Sequence, residues 1–355
     1  MRDGLFELAA AAIVFVSVTA MADLPPVYHV GQATLSDTSS YFSTDQNYDR
    51  YGNKQGLCYP QVGSCDYKFE TETNSLDGKY DLDSALGVWS FGAGVDIDYA
   101  DSRGPDPVYL TEKDRTNSQF DDIHFVMQKP IPLQMFRIIP EVKGTIALNP
   151  ISMSQIVYNG PGTNYYDNAL TSNACDAVQA GSWIVGYFPH TQLYAYVGYQ
   201  YRDDQYASLI PWEAGSLFQF HRFIFGGELD GYDDATNDQY GYGREILTDR
   251  VDGGSYKYFA ADPVESDVRL NIGYAITPDL TVTGAWSNTL SGQEIAVGQT
   301  FYASLAYSFD VAGGGSGHYN NDLLPHDKSG KTSPRRNSQF QPSVEKYDQS
   351  LFESD

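Results

Sequence analysis

The sequence predicts an all-β fold, a transmembrane antiparallel up-and-down β-barrel of about 12 strands, and three observations carry that prediction. The first is composition: of 355 residues only 41% are hydrophobic, yet there are 28 Tyr and 33 Gly. Tyr and Gly together suit strands that are apolar on one face and wet on the other, with aromatic rings at a lipid–water boundary. The second is a strict period of two. It is clearest where Trp89, Phe91, Ala93, Val95, Ile97 and Tyr99 alternate with Ser90, Gly92, Gly94, Asp96 and Asp98. That run is longer than an ordinary strand of roughly five or six residues and matches a tilted transmembrane strand of roughly 9 to 11. The third is rhythm, because tight turns alternate with long polar segments, as they do in outer-membrane barrels.

Ahead of the strands, an apolar run from Leu8 to Ala20 ends in Ala20-Met21-Ala22, so residues 1–22 are expected to be a secretory signal peptide cleaved after Ala22. The run falls well short of the roughly 20 residues that cross a bilayer as a helix, and no Cys follows it to take a lipid anchor. Elsewhere no segment approaches the roughly 18 consecutive apolar residues of a helical span. Residues 23–309 are assigned to the barrel. Residues 310–355, opened by Gly313-Gly314-Gly315-Ser316-Gly317, are assigned to a disordered periplasmic tail that is too polar to bury a core.

Strands are expected near residues 28–42, 66–79, 86–101, 119–129, 135–149, 181–188, 192–206, 216–230, 238–250, 264–276, 280–289 and 296–309. Thr277-Pro278-Asp279 reads as a tight hairpin turn between Val268, Leu270, Ile272, Tyr274 and Ile276 on one side and Leu280, Val282 and Trp286 on the other. The segments Lys129 to Gln134 and Phe188-Pro189-His190-Thr191 read as further turns at the same end. Residues 43–65, 102–118, 150–180 and 231–262 read as long loops at the opposite end. Twelve is even, as a single-chain bacterial barrel requires; the ninth strand alternates raggedly, so 10 or 14 are the alternatives. The last strand closes in Tyr307-Ser308-Phe309, which resembles the signal read by the barrel-assembly machinery, here followed by a tail.

Charge narrows the function. With 22 Lys and Arg against 46 Asp and Glu the formal net charge is −24, which leaves no basic surface for nucleic acid. Three cysteines fit an oxidising compartment; Cys58 and Cys65 are close enough in sequence for a small disulfide clip, which leaves Cys175 over. None of the six histidines has the spacing of a metal site, and His124 with Asp122 reads as a polar pair lining a wet interior rather than a catalytic base. Acidic pairs such as Asp96 with Asp98 lack calcium-loop spacing and read as solvated charge. No hydrolase, phosphate-loop or haem motif is present, so neither an enzyme nor a cofactor is expected.

Short motifs carry a resemblance. Tyr41-Phe42-Ser43-Thr44-Asp45, then Tyr48-Asp49-Arg50 and Gly52-Asn53-Lys54, then the strand pair around residues 82–94, look like the opening of the outer-membrane barrels filed as meta-pathway phenol-degradation proteins. Leu193 to Arg202, Trp286 to Gly292 and Ala296-Val297-Gly298 are similar in style to the same group. The resemblance implies a transporter-like barrel for hydrophobic and aromatic compounds, and it defines no binding residues.

The function expected is therefore an outer-membrane channel passing small molecules by diffusion. Its partners are outer-membrane lipid, the barrel-assembly machinery and a small solute, with no nucleic acid, and the oligomeric state is left open. The alternating polar face supplies the candidate lumen-lining residues Asp96, Asp98, Asp122, His124, Arg137, Glu141, Lys143, Arg202 and Arg269, since such charges are solvated only around an interior passage. The alternative is a closed barrel that displays its long acidic loops for adhesion, because loops of that length are uncommon unless functional.

Overall fold

The computed structural model describes residues 28, 31–48, 51–56, 68–105, 112–149, 175–188, 190–203, 206–236, 264–277, 279–293 and 295–311. They form fourteen strands and, among the described residues, no helix: β1 (Gln32–Tyr48), β2 (Lys54–Gly56), β3 (Lys68–Ser84), β4 (Gly87–Pro105), β5 (Glu112–Gln128), β6 (Ile131–Leu133), β7 (Phe136–Ala147), β8 (Ala177–Phe188), β9 (Thr191–Arg202), β10 (Leu209–Phe220), β11 (Phe223–Asp234), β12 (Val264–Thr277), β13 (Leu280–Gln293) and β14 (Ala296–Asp310). Each long strand pairs antiparallel with its neighbours in chain order, and β14 returns to β1 along the register Gln32↔Asp310 to Asn47↔Ala296. The sheet is thus a closed barrel of twelve long strands. β2 extends the top of β1, and β6 folds the β5–β7 connection against β7. Closure leaves no edge whose N–H and C=O groups would meet lipid unpaired.

The period-two pattern sets which side faces out. Leu35, Leu76, Phe91, Phe125, Ile184, Val197, Leu270 and Phe301 are exposed, whereas Thr38, Ser75, Ser90, Asn271, Thr281, Ser287 and Ser304 are buried, an inversion of a soluble protein. The apolar side is therefore the lipid-facing wall. Aromatics ring it at both ends of the strands, with Tyr41, Tyr99, Tyr199 and Tyr201 toward the longer connections and Phe91, Phe136, Phe188, Phe220, Tyr307 and Phe309 toward the end where β1 begins and β14 finishes. Val95 and Gly94 point to opposite sides, as expected.

Two strand expectations are corrected. The expected strand 216–230 is in fact the end of β10, a two-residue turn at His221-Arg222, and the start of β11. The turn carries no Gly, Asn or Asp to announce it; His221 itself takes the left-handed conformation at φ 56°, and Phe218, Phe220, Phe223 and Phe225 run past it without a break in hydrophobicity. The expected strand 238–250 lies outside the described residues; among those described, β11 pairs directly with β12 from Phe223↔Tyr274 to Tyr232↔Glu265. The described wall has twelve long strands, as expected. The segment 102–118 is also less of a loop than its polarity suggests, since β4 continues to Pro105 and β5 begins at Glu112. The expected signal peptide, the tail beyond residue 311 and the Cys58–Cys65 clip lie outside the described residues; Cys175 is buried.

Candidate functional site

The barrel interior is the candidate site, and its chemistry differs from strand to strand. All nine sequence-predicted residues face inward, Asp122 beside a bulge and the others by alternation: Asp96 and Asp98 on β4, Asp122 and His124 on β5, Arg137, Glu141 and Lys143 on β7, Arg202 on β9 and Arg269 on β12. The structure sorts them into separate groups rather than one ring.

The wall of β3, β4 and β5 is acidic. A β-bulge on β5 lets the register slip between Val95↔Ile123 and Ile97↔Phe120, so that Asp121 and Asp122 both lie across from Asp96. Both side chains are buried; Asp122, with Asp77 and Asp96, surrounds His124, while Asp121 and Asp98 lie beside Asp96 and Asp122. His124 Nε2 lies 2.6 Å from Asp77 Oδ1, and Nδ1 lies 3.6 Å from both Asp96 Oδ2 and Asp122 Oδ1. Gly94 makes this approach feasible, because a Cβ at that position would collide with both Asp77 and His124.

Across β11 and β12 the charges are mixed. Arg269 donates to Glu228 at 2.8 Å and to Asp230 at 3.4 Å and lies over the Tyr302 ring; Tyr194 also donates to Glu228. A cavity of about 190 Å³ opens beside this group, lined by Glu141, Lys143, Trp183, Glu213, Glu265 and Arg269 among others. Glu141 is held there by donors from Gln128 at 2.6 Å and Trp183 at 3.2 Å.

Between these walls, β7 to β10 turn apolar side chains inward, which the sequence pattern did not lead us to expect. Ile139, Trp183, Val185, Tyr194 and Tyr196 form a buried cluster, joined by Tyr28, Tyr187 and Leu217. Trp183 and Tyr196 pack with ring centroids 4.9 Å apart, and Gln179 donates to the Tyr196 hydroxyl at 2.7 Å. Tyr196 lies flat over Gly198, where a Cβ would come within 2.6 Å of its hydroxyl. At the terminal end, Tyr28 enters the interior, donates to Gln128 at 3.2 Å, and lies under the Lys79 ammonium at 4.5 Å and the Arg137 guanidinium at 5.8 Å. Arg137 also sits over Tyr187. Arg202, at the loop end, donates to the Ala207 carbonyl at 2.6 Å and lies over Tyr206, so it pins the β9–β10 connection. Of the four predicted bases, Arg137, Arg202 and Arg269 thus each have defined partners away from Asp96 and Asp98.

Sequence reasoning missed Asp77, Asp121, Glu228 and Asp230. Asp77 shares a legible alternation with Lys79 and Asp81, whereas Asp121 is displaced onto the inner face only by the bulge. Glu228 and Asp230 were hidden by the misplaced β10–β11 turn.

No family model matches the chain, and no curated protein matches it. Among solved structures, it is similar to the COG4313 outer membrane channel from Pseudomonas putida F1, at 13% identity and a TM-score of 0.55 over 82% of this chain and 100% of that one. It also aligns with the NanC porin, at 8% identity and TM-score 0.40 over 76% and 98% of the two chains. The translocator domain of autotransporter NalP from Neisseria meningitidis aligns at 8% and 0.45 over 86% and 97%. The first likeness places the fold among outer-membrane barrels; the other two are too loose to bear on function.

Proposed function

We propose that the chain is an outer-membrane channel, inserted through its aromatic-girdled apolar wall, that passes small solutes by diffusion without cofactor or energy input. The single observation that carries the reading is the inward placement of charge. Asp96, Asp98, Asp122, His124, Glu141, Lys143 and Arg269 all lie inside a closed wall whose outer face is apolar, and charges in that position need water around them. The fold shared with the Pseudomonas putida channel supports this, and the interior of mixed sign, aromatic on β8 and β9, suits a small solute with an apolar body and a polar group. The resemblance to the phenol-degradation barrels points the same way. The termini would lie in the periplasm and the long connections outside, with residues 1–22 removed on export and the region after Asp310 forming a periplasmic tail.

One observation favours the closed display barrel as the second reading: the buried cluster of Ile139, Trp183, Val185, Tyr194 and Tyr196 occupies part of the interior. Proteoliposome swelling separates the two. The channel reading expects small sugars and amino acids to enter vesicles carrying the protein faster than empty ones, with the rate falling as solute size rises; equal rates would favour the closed barrel.

A further inference from the structure

His124 sits among three carboxylates of the acidic wall, Asp77, Asp96 and Asp122. Its Nε2 lies 2.6 Å from Asp77 Oδ1, and with the ring proton held there the Nδ1 lone pair faces Asp96 and Asp122. At 3.6 Å neither of those oxygens is within hydrogen-bond range of Nδ1. That spacing is close to the roughly 3.4 Å that separates two ligands of a tetrahedral ion whose bonds are about 2.0–2.1 Å. The three groups offer ligand atoms that all lie within 4.8 Å of one another. A metal-bound imidazole commonly donates its other ring N–H to a carboxylate, which is the part Asp77 plays here. A second observation is independent of this geometry. Asp98 and Asp121 are 8% and 4% exposed, stand against the same group, and each buries an Oδ1 with no hydrogen-bond partner. Carboxylates crowded and under-satisfied in this way are stabilised by a cation.

We infer that the inner wall of β3, β4 and β5 is a divalent-metal site of the zinc type, with His124 Nδ1, Asp96 and Asp122 as ligands and Asp77 orienting the imidazole. One nitrogen with carboxylate oxygens favours zinc-class ions over calcium or magnesium, which prefer all-oxygen shells. Asp98 and Asp121 stand beside Asp96 and Asp122 in the same wall. The bulge that brings Asp121 and Asp122 to one side and the missing side chain at Gly94 are the two backbone features that make the site.

The test is equilibrium dialysis of Zn²⁺ against the full-length barrel folded in detergent, which reads binding whether or not the barrel conducts. Proteins are first checked for barrel formation by their mobility in detergent gels before and after boiling. One tight Zn²⁺ per chain is expected, undisturbed by millimolar Ca²⁺ or Mg²⁺. X-ray absorption at the zinc edge should show one nitrogen and at least two oxygens. His124→Gln and the Asp96→Asn/Asp122→Asn pair should abolish that site while the barrel still forms. Asp77→Asn should weaken it by about 10- to 100-fold without removing a ligand. Absence of a tight site, or a site of equal affinity in all three variants, overturns the proposal; the latter result would place the ion on other histidines such as His318 or His326.

Discussion

Arg269 Nη1 donates to Glu228 Oε1 at 2.8 Å directly across the β11–β12 pair, and Glu228 is only 4% exposed. Tyr194, from β9, donates to the other carboxylate oxygen, so three strands are tied at one buried group. Removing one partner of such a pair strands the other charge, whereas removing both can be nearly neutral. Arg269→Met should therefore destabilise the barrel by about 3–5 kcal/mol, read by urea unfolding in lipid vesicles, and adding Glu228→Leu should recover most of the loss. A single-variant cost below about 1 kcal/mol would mean that Glu228 is well solvated.

The facing of the strands predicts an asymmetry between outward and inward charge. Val95 lies on the lipid side near the middle of β4, where Arg costs about 2–4 kcal/mol, whereas Gln200 on the inner face of β9 should accept Arg at a far smaller cost. Gly94, although inward, is the wrong control, because any side chain there strikes Asp77 and His124. Equal losses of folded protein for Val95→Arg and Gln200→Arg would show the register to be wrong.

How far the sequence reached follows from these same residues. The wall was legible wherever apolar and polar residues alternate strictly, as on β4, β12, β13 and β14, because a period of two fixes both the strand and its faces. It was not legible at His221-Arg222, where the turn uses a histidine at positive φ in place of Gly or Asn. The interior was legible residue by residue but not as an arrangement. Which strands stand opposite decides that Asp96 meets His124 while Arg269 meets Glu228, and the bulge that turns Asp121 inward leaves no trace in the alternation.

The inward aromatic cluster predicts a gain on removal. Tyr194 and Tyr196 project from adjacent inner positions of β9 against Trp183 and fill the interior on that side. Tyr194→Ala with Tyr196→Ala should raise single-channel conductance measurably, at a folding cost on the order of 3–5 kcal/mol for each buried ring. Unchanged conductance would place the passage elsewhere in the lumen.

The acidic wall predicts selectivity. Fixed negative charge along a narrow, low-dielectric passage concentrates cations and repels anions, and Arg137, Arg202 and Arg269 are engaged elsewhere. Reversal potentials in a salt gradient should therefore show cation preference that weakens in Asp96→Asn/Asp98→Asn. Preference for anions, or no change in the double variant, would remove this wall from the conducting path.

Single-channel recording in planar bilayers tests the central claim most directly. Purified barrel added to one side of the membrane should produce discrete, steady current steps that persist at low voltage, with each step larger in the Tyr194→Ala/Tyr196→Ala variant. Protein that inserts in folded form yet carries no current, in both the native chain and that variant, would contradict the account and leave a closed barrel.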